Sequence, residues 1–501
     1  MLGNYFTFPE LLIWIPLIAG IISIFIKKSN SVKWFALGSS ILVLIVSVIS
    51  LFYSDPSKQV QNFNYNHVSY LWMPYMGASF SVGLDSLGFI VTLLTALTFP
   101  IVFLNFHKRK IENPSLFYSL MLLFECGLMG VFVAYDMLVF YFFWILAFIP
   151  AYFLCCIWGG SRRISVGYKS FAYTFVSALL MLAGILYFYQ FAPQLNPESV
   201  HSFSIMAFYT THIEPAGQPG IFLLFFFAVA IITPVFPFHS WQPDMFEQSP
   251  FASTIVMSSV MTKMGVVIML RWIVPMVSVG ILKYETILVV LSVTGFVYGC
   301  SIAWVQDDLK KLVAWASVAQ MGLIAAGIFS GNVPGFRGAM FELFNHGINI
   351  LGLWMVVSII EESTGTRKIS ELGGLAKKSP ALTFFFMIIL LANIGFPFTN
   401  SFTSKFLILA GLFSYSKWLA FIACIGIVLS AVYLLKIFRK VFYSENKNQG
   451  KPEISISIFQ TLAMSVLVLL IIILGIYPDL ILHFTNGIAQ ELMRRMGGIN
   501  I

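Results

Sequence analysis

The chain of 501 residues is 59% hydrophobic and only 10% charged, with a formal net charge of +8. That balance excludes a soluble enzyme with a polar surface. Apolar tracts of about 20 residues recur from end to end, the mark of an all-α polytopic membrane protein whose surroundings are a lipid bilayer. The positive charge is not a nucleic-acid signal, because the basic residues sit in short segments between apolar tracts.

Taken in chain order, fourteen spans are predicted, near 9–26, 32–53, 84–106, 114–134, 137–158, 168–190, 219–237, 251–276, 284–305, 311–330, 335–360, 380–411 (broken), 416–438 and 456–478. The first lacks a basic flank and a small-residue cleavage site, so it is expected to be a retained span and not a signal peptide. The longest polar gap, Asp55 to Gly83, is too short and aromatic for a core of its own. The five cysteines, Cys126, Cys155, Cys156, Cys300 and Cys424, fall in apolar tracts without metal-ligand or redox-pair spacing, so they read as packing residues. Lysine and arginine crowd alternate loops, among them Lys27, Lys28, Lys108, Arg109, Lys310 and Lys311, whereas Arg271 counts among the fewer on the other side. By the positive-inside rule this bias places both termini outside.

Two spans are interrupted. Ala228 to Arg271 reads AVAIITPVFPFHSWQPDMFEQSPFASTIVMSSVMTKMGVVIMLR: an apolar run stops at Pro234 and Pro237, a polar and aromatic elbow follows, and the next run carries Lys263 at its middle. Proline removes an amide donor and clashes with the preceding turn, so two of them break a helix. Broken backbone at membrane depth survives only when packed in protein or lining a wet cavity, and such breaks mark ion paths. Leu391 to Leu409 repeats the theme, with Pro397, the polar patch Thr399, Asn400 and Ser401, and then Lys405. The breaks lie five spans apart. An odd offset reverses orientation, so two inverted five-helix repeats are expected, spans 4–8 against 9–13. The corresponding division is 1–113 for the first three spans, 114–276 and 284–438 for the repeats, and 439–501 for the last span and tail.

Five polar side chains inside these tracts are candidate proton-translocation groups. A lysine within the bilayer costs roughly 2.5–3.5 kcal/mol even on mild scales, so Lys263 reads as functional, with snorkelling the ordinary alternative. Lys405 follows the second break. His346, beside Asn345 and Asn349, is either a packed histidine or part of a hydrated path. Glu125, in LLFECGLMG, is either a buried neutral carboxyl or a working acid, and His239 either relays protons or ties down its elbow. Asp307, Asp308, Lys310 and Lys311 read as a topological loop cluster, and the tail after Tyr477 as a segment lying on the membrane or against a partner.

Together, PFHSWQPDMFEQSP, VMTKMG, QDDLKKLVAWASVAQMG and YDMLVFYFFWILAFIPAYF resemble the antiporter-like membrane subunits of respiratory complex I, with a length and span count most similar to the chain M (mitochondrial subunit 4) type. The same superfamily holds Mrp antiporter, membrane hydrogenase and bicarbonate-uptake subunits. The resemblance implies a membrane-arm subunit of an NADH–quinone oxidoreductase in a bacterial inner membrane, surrounded by other antiporter-like and small subunits. It places flavin, iron–sulfur clusters and quinone on those partners and no cofactor on this chain. It implies proton transfer along a buried axis: Lys263 as the central carrier, His346 as a bridge, Lys405 on the exit side. The family also pairs a span 5 glutamate with a span 7 lysine, and at those positions this chain has Ile145 and Ile232. An ion pair can be replaced by apolar residues at little cost, while losing one partner strands a charge, so loss of both suggests removal as a unit. The two isoleucines are then expected to meet in a dry contact, with Glu125 a substitute acid. The alternative functions are a structural, non-pumping arm subunit, or a subunit of an Mrp-type antiporter, membrane hydrogenase or bicarbonate-uptake system.

Overall fold

The computed structural model describes residues 7–53, 67–195, 199–445 and 456–497. The two ends, whose placement outside is expected, and the first part of the polar gap, 54–66, lie outside the described residues. Helices α1 (Phe8–Phe25) and α2 (Ser29–Phe52) lead into a hairpin of β1 (Val68–Met73) and β2 (Ala78–Val82). Then come α3 (Ser86–Asn105), α4 (Pro114–Val133), α5 (Met137–Trp158), α6 (Arg163–Tyr189), the short α7 (Ile205–Thr210), α8 (Gln218–Ile232) and α9 (Gln242–Gln248). The next crossing, α10 (Phe251–Met276), is one rod containing two π-helical turns, and α11 (Ser278–Val305), α12 (Leu309–Phe329) and α13 (Val333–Thr364) follow. The chain closes with α14 (Pro380–Ile394), α15 (Asn400–Tyr415), α16 (Lys417–Tyr443), α17 (Ile458–Ile476) and α18 (Asp479–Arg495). Among the described residues, twelve helices are long and apolar enough to cross a membrane, and α8 and α14 are shorter apolar helices at the two breaks. The chain is an all-α polytopic membrane protein apart from the hairpin.

That hairpin fills the second part of the polar gap, which is too short for a core of its own. Aromatic and β-branched residues suit a pleated surface. Val68 stands opposite Val82 and Leu71 opposite Ser79. Its turn needs Gly77, whose φ is +64 and where a Cβ would meet the His201 carbonyl oxygen at 1.9 Å. Local sequence also sets helix starts. Asp85, Asp136, Asp308 and Asn332 each accept a backbone N–H from the first turn of α3, α5, α12 and α13.

In lipid, helices associate through close packing and not through hydrophobic exclusion, so small residues appear where backbones approach. Gly127 of α4 is such a place: a Cβ there would sit 2.6 Å from the Ala147 amide nitrogen of α5. α10 and α13 are wholly enclosed at the centre, with α3, α4 and α12 nearly so, while α1, α2, α6, α16 and α17 form the apolar rim. The tail helix α18 packs one face against α13 and α3 of its own chain. Its Leu482, Ala489 and Leu492 are buried, and its Arg495 guanidinium lies 4.4 Å from the Tyr209 ring centre. Of the cysteines, Cys126, Cys155 and Cys300 are buried and Cys156 partly so, but Cys424 is exposed on the rim.

Candidate functional site: a polar axis between two broken helices

α8 stops at Ile232, as its prolines require, and the Trp241 indole returns to donate to the Ile231 carbonyl at 2.9 Å. That bond occupies a carbonyl the break would leave orphaned. The elbow is held from α6 by Lys169, which donates to the Ser240 carbonyl at 2.9 Å and pairs with Asp244 at 2.7 Å. His239 lies at this elbow. Its ring packs among Phe236, Tyr298 and Trp315 with centroids 5.4–5.5 Å away, and no hydrogen bond links it to Lys263.

Lys263 follows a π-helical turn, Met257–Met261, in α10. It is fully buried, so the snorkelling alternative does not apply. Its ammonium has three partners: the Ser258 carbonyl at 2.7 Å, Thr262 Oγ1 at 3.2 Å and His346 Nδ1 at 2.9 Å. An ammonium has three hydrogens, so this set satisfies it completely. His346 Nε2 has no hydrogen-bond partner among the described residues.

From His346 the polar groups continue along one face of α13. Asn345 and His346 lie three and four residues after Glu342 and four and three before Asn349, so the four share that face. Asn345 Nδ2 donates to the Asn400 carbonyl at 2.9 Å and Ser404 Oγ at 3.1 Å, and Asn349 Nδ2 to Ser401 Oγ at 2.9 Å. Ser404 and Ser401 in turn donate to the Glu342 carboxylate at 2.5 and 3.3 Å. At the far end α14 stops at Ile394 with Gly395 left-handed (φ +88), and α15 begins at Asn400. Lys405, buried, donates to the Asn393 carbonyl. The ammonium thus sits at the C-terminal end of a half-helix, where carbonyl dipoles favour a cation. Glu342 lies within electrostatic reach of both Lys263 and Lys405.

Three of the five sequence candidates, Lys263, His346 and Lys405, therefore stand on one axis through α10, α13 and α15. Glu125 and His239 do not join it. Glu125 is enclosed in α4, and neither carboxyl oxygen has a hydrogen-bond partner among the described residues. Glu342 was missed. The criterion that singled out Glu125, a carboxylate inside an apolar tract, applies equally to FELFNHGINI, and the four-residue spacing to His346 adds to it.

Ile145 and Ile232 do not form the expected enclosed contact. Ile232 is 1% exposed but Ile145 is 37% exposed on the outer face of α5. Helical geometry explains this: Phe140, Phe143, Trp144 and Ala147 make the inward face, and position 145 turns about 100° from Trp144 toward the rim. Two charge assignments also change. Arg271 is buried, bonded through Nε to Asp85 Oδ2 at 2.9 Å and through Nη1 to the Phe132 carbonyl at 2.6 Å. Lys310 is buried as well, donating to the Ser249 carbonyl at 2.6 Å. The loop cluster expected to be only topological builds an ionic knot: Glu247 faces Arg162 at 2.9 Å, Arg367 at 3.2 Å and Lys311 at 3.6 Å, and Arg367 also pairs with Asp308 at 2.5 Å.

Comparison with known proteins agrees with this architecture. Residues 134–430 match the family described as NADH:quinone oxidoreductase/Mrp antiporter, TM. The chain is 32% identical to NADH-quinone oxidoreductase subunit M of Rhodobacter capsulatus, over 97% of this chain and 96% of that protein. It is 33% identical to F(420)H(2) dehydrogenase subunit M of Methanosarcina mazei, over 98% and 99% of the two. A chain in the structure of respiratory complex I from Thermus thermophilus superposes with a TM-score of 0.87 at 26% identity, covering 97% of this chain and 99% of that one. A chain of the Mrp complex from Dietzia shares the fold, with a TM-score of 0.81 at 18% identity over 96% of each chain. A multi-pass chain with two interrupted helices and a buried polar axis, related over nearly its whole length to these proteins, belongs to the NADH:quinone oxidoreductase/Mrp antiporter family, as a subunit M-like antiporter membrane subunit of a complex I-like assembly.

Proposed function

We propose that this chain translocates protons as a membrane-arm subunit of a complex I-like NADH–quinone oxidoreductase, driven by quinone reduction in partner subunits. The observation that carries the reading is the enclosed 2.9 Å contact of Lys263 with His346, on a polar face that leads to Lys405 at the second break. A proton needs groups within hydrogen-bond reach, or one water apart, at each step. His346 accepts at one ring nitrogen and releases from the other. Lys405 is the exit-side group. Glu125, sealed in α4, remains a candidate acid of the inner shell, and His239 acts on the elbow.

The same reading adds the two broken crossings to the twelve long helices, making fourteen, with inverted repeats over spans 4–8 and 9–13 and both termini outside. The division at 113, 276 and 438 follows from it. Its setting is a bacterial inner membrane among other antiporter-like and small subunits, where flavin, iron–sulfur and quinone chemistry resides. The related proteins' names carry different electron donors, which accords with a donor chosen by partners.

A second reading, a structural subunit that does not pump, is favoured by Ile145 and Ile232 at the positions where the family pairs Glu with Lys. Proton-to-electron ratios of the reconstituted complex decide between them. A lowered ratio in Lys263→Ala, with electron transfer to quinone retained, supports translocation here. An unchanged ratio in the assembled variant leaves the structural role.

A further inference from the structure

Every titratable group on the axis except one has a role in the reading above. The remaining one is Glu342, on α13 one turn before His346 and 1% exposed. Ser404 and Ser401 hold its carboxylate at 2.5 and 3.3 Å. These serines are the residues one and four positions before Lys405 on α15. On the other side, His346 touches Lys263. No arginine or lysine lies within ion-pair distance of Glu342, so no fixed salt bridge claims its charge among the described residues.

We infer that Glu342 is the shared counter-charge of the axis, a carboxylate placed between Lys263 and Lys405 that neutralises whichever of the two carries the proton. This rests on the translocation reading and deepens it. The charge ledger is simple. One ammonium, one neutral amine and one carboxylate sum to zero, and the sum is unchanged when the proton moves from Lys263 Nζ to Lys405 Nζ. An enclosed site strongly disfavours an uncompensated charge. Without the carboxylate, the one-proton state becomes a lone buried cation at either lysine. The serine bonds suit this role, because hydroxyl donors hold the anion in place without cancelling its charge. The position also answers the loss of the family's Glu–Lys pair: with Ile145 and Ile232 apolar, the carboxylate of the circuit is supplied from α13.

The test uses the whole complex in proteoliposomes. Glu342→Gln retains a carbonyl for the serine hydroxyls but has no charge. The expected result is retained electron transfer with the proton-to-electron ratio lowered as far as in Lys263→Gln, and restored by Glu342→Asp. A wild-type ratio in Glu342→Gln alongside a lowered one in Lys263→Gln overturns the counter-charge and leaves the axis standing. Wild-type ratios in both overturn the translocation reading itself. Should Glu342→Gln assemble poorly, the double variant Glu342→Gln/Lys405→Met decides. A stranded Lys405 is relieved by its removal, so recovery of assembly without pumping supports the assignment. A double variant as unstable as the single one reduces Glu342 to a hydrogen-bonding strut. Redox-triggered infrared difference spectra add a third readout, a carboxylate-stretch difference band missing in Glu342→Gln and kept in Glu125→Gln; the reverse pattern overturns the assignment.

Discussion

Lys263 Nζ and His346 Nδ1 stand 2.9 Å apart, joined across 83 residues of sequence by the packing of α10 on α13. When the lysine is an ammonium, Nδ1 must accept and the ring hydrogen sits on Nε2. When it is an amine, the direction reverses. The pair therefore has two proton arrangements separated by a small displacement and a tautomer change. His346→Ala removes this partner while leaving Lys263 two of its three bonds. Proton transfer through this subunit is expected to slow by roughly a hundredfold or more. The measurement is vesicle acidification against quinone reduction. Acidification at the wild-type rate would remove His346 from the path.

Asp85 and Arg271 form a second buried relationship, at the other end of α10. The guanidinium caps the Phe132 carbonyl and stacks 5.5 Å from Tyr135 as well as pairing with the carboxylate. Removing one partner of such a pair strands the other and costs about 3–5 kcal/mol, whereas removing both can be nearly neutral. Asp85→Asn and Arg271→Met are each expected to lower the thermal stability of the complex, and the double variant to recover most of the loss. Additive losses would show that the two residues act separately.

Much of this was legible because the bilayer penalises polar groups so strongly. Prolines located both breaks, Pro234 and Pro237 the first and Pro397 the second, and a lone charge in an apolar tract located Lys263 and Lys405. His346 followed from its asparagine neighbours. What could not be read was pairing. Asp85 and Arg271 lie 186 positions apart, and nothing in either tract names the other. Arg271 was therefore counted with the loop charges, although it is buried against Asp85. Ile145 failed for a related reason: the chain position of a family residue does not say which way its helix face points. Glu342 was legible in principle, through its four-residue spacing to His346.

The α4–α5 contact predicts a sharp size limit. A methyl group at position 127 would lie 2.6 Å from the Ala147 nitrogen and 2.8 Å from its Cα, and backbone cannot rotate aside as a side chain can. Gly127→Ala is expected to force the helices apart at a cost of about 1–3 kcal/mol. Reduced subunit level, with rescue at lower growth temperature, is the readout. Gly38→Ala is the control, because nothing lies within 4 Å of a Cβ there. Equal behaviour of the two variants would contradict the close approach.

Asp136, just before α5, predicts a pH dependence at the β1–β2 hairpin. Its Oδ1 accepts the Leu138 and Val139 amides at 2.9 and 3.3 Å, and Oδ2 accepts Ser79 N–H of β2 at 3.0 Å. Burial disfavours the ionised form and outweighs these bonds, so its pKa is raised from the ordinary 3.8 to about 6. Between those values the folded protein holds a proton that the unfolded chain has released. Stability contributed by this group is thus fully present below about pH 4 and declines as pH rises to about 6, by at most about 3 kcal/mol. Hydrogen exchange at residues 68–82, corrected for intrinsic rates, should show weaker protection at pH 7 than at pH 5. Asp136→Asn cannot ionise, so it should flatten this profile. Its amide also turns a donor toward the Ser79 N–H, losing that bond at a cost of about 1 kcal/mol and loosening the hairpin at every pH. A wild-type pH profile in Asp136→Asn would assign the dependence to another group.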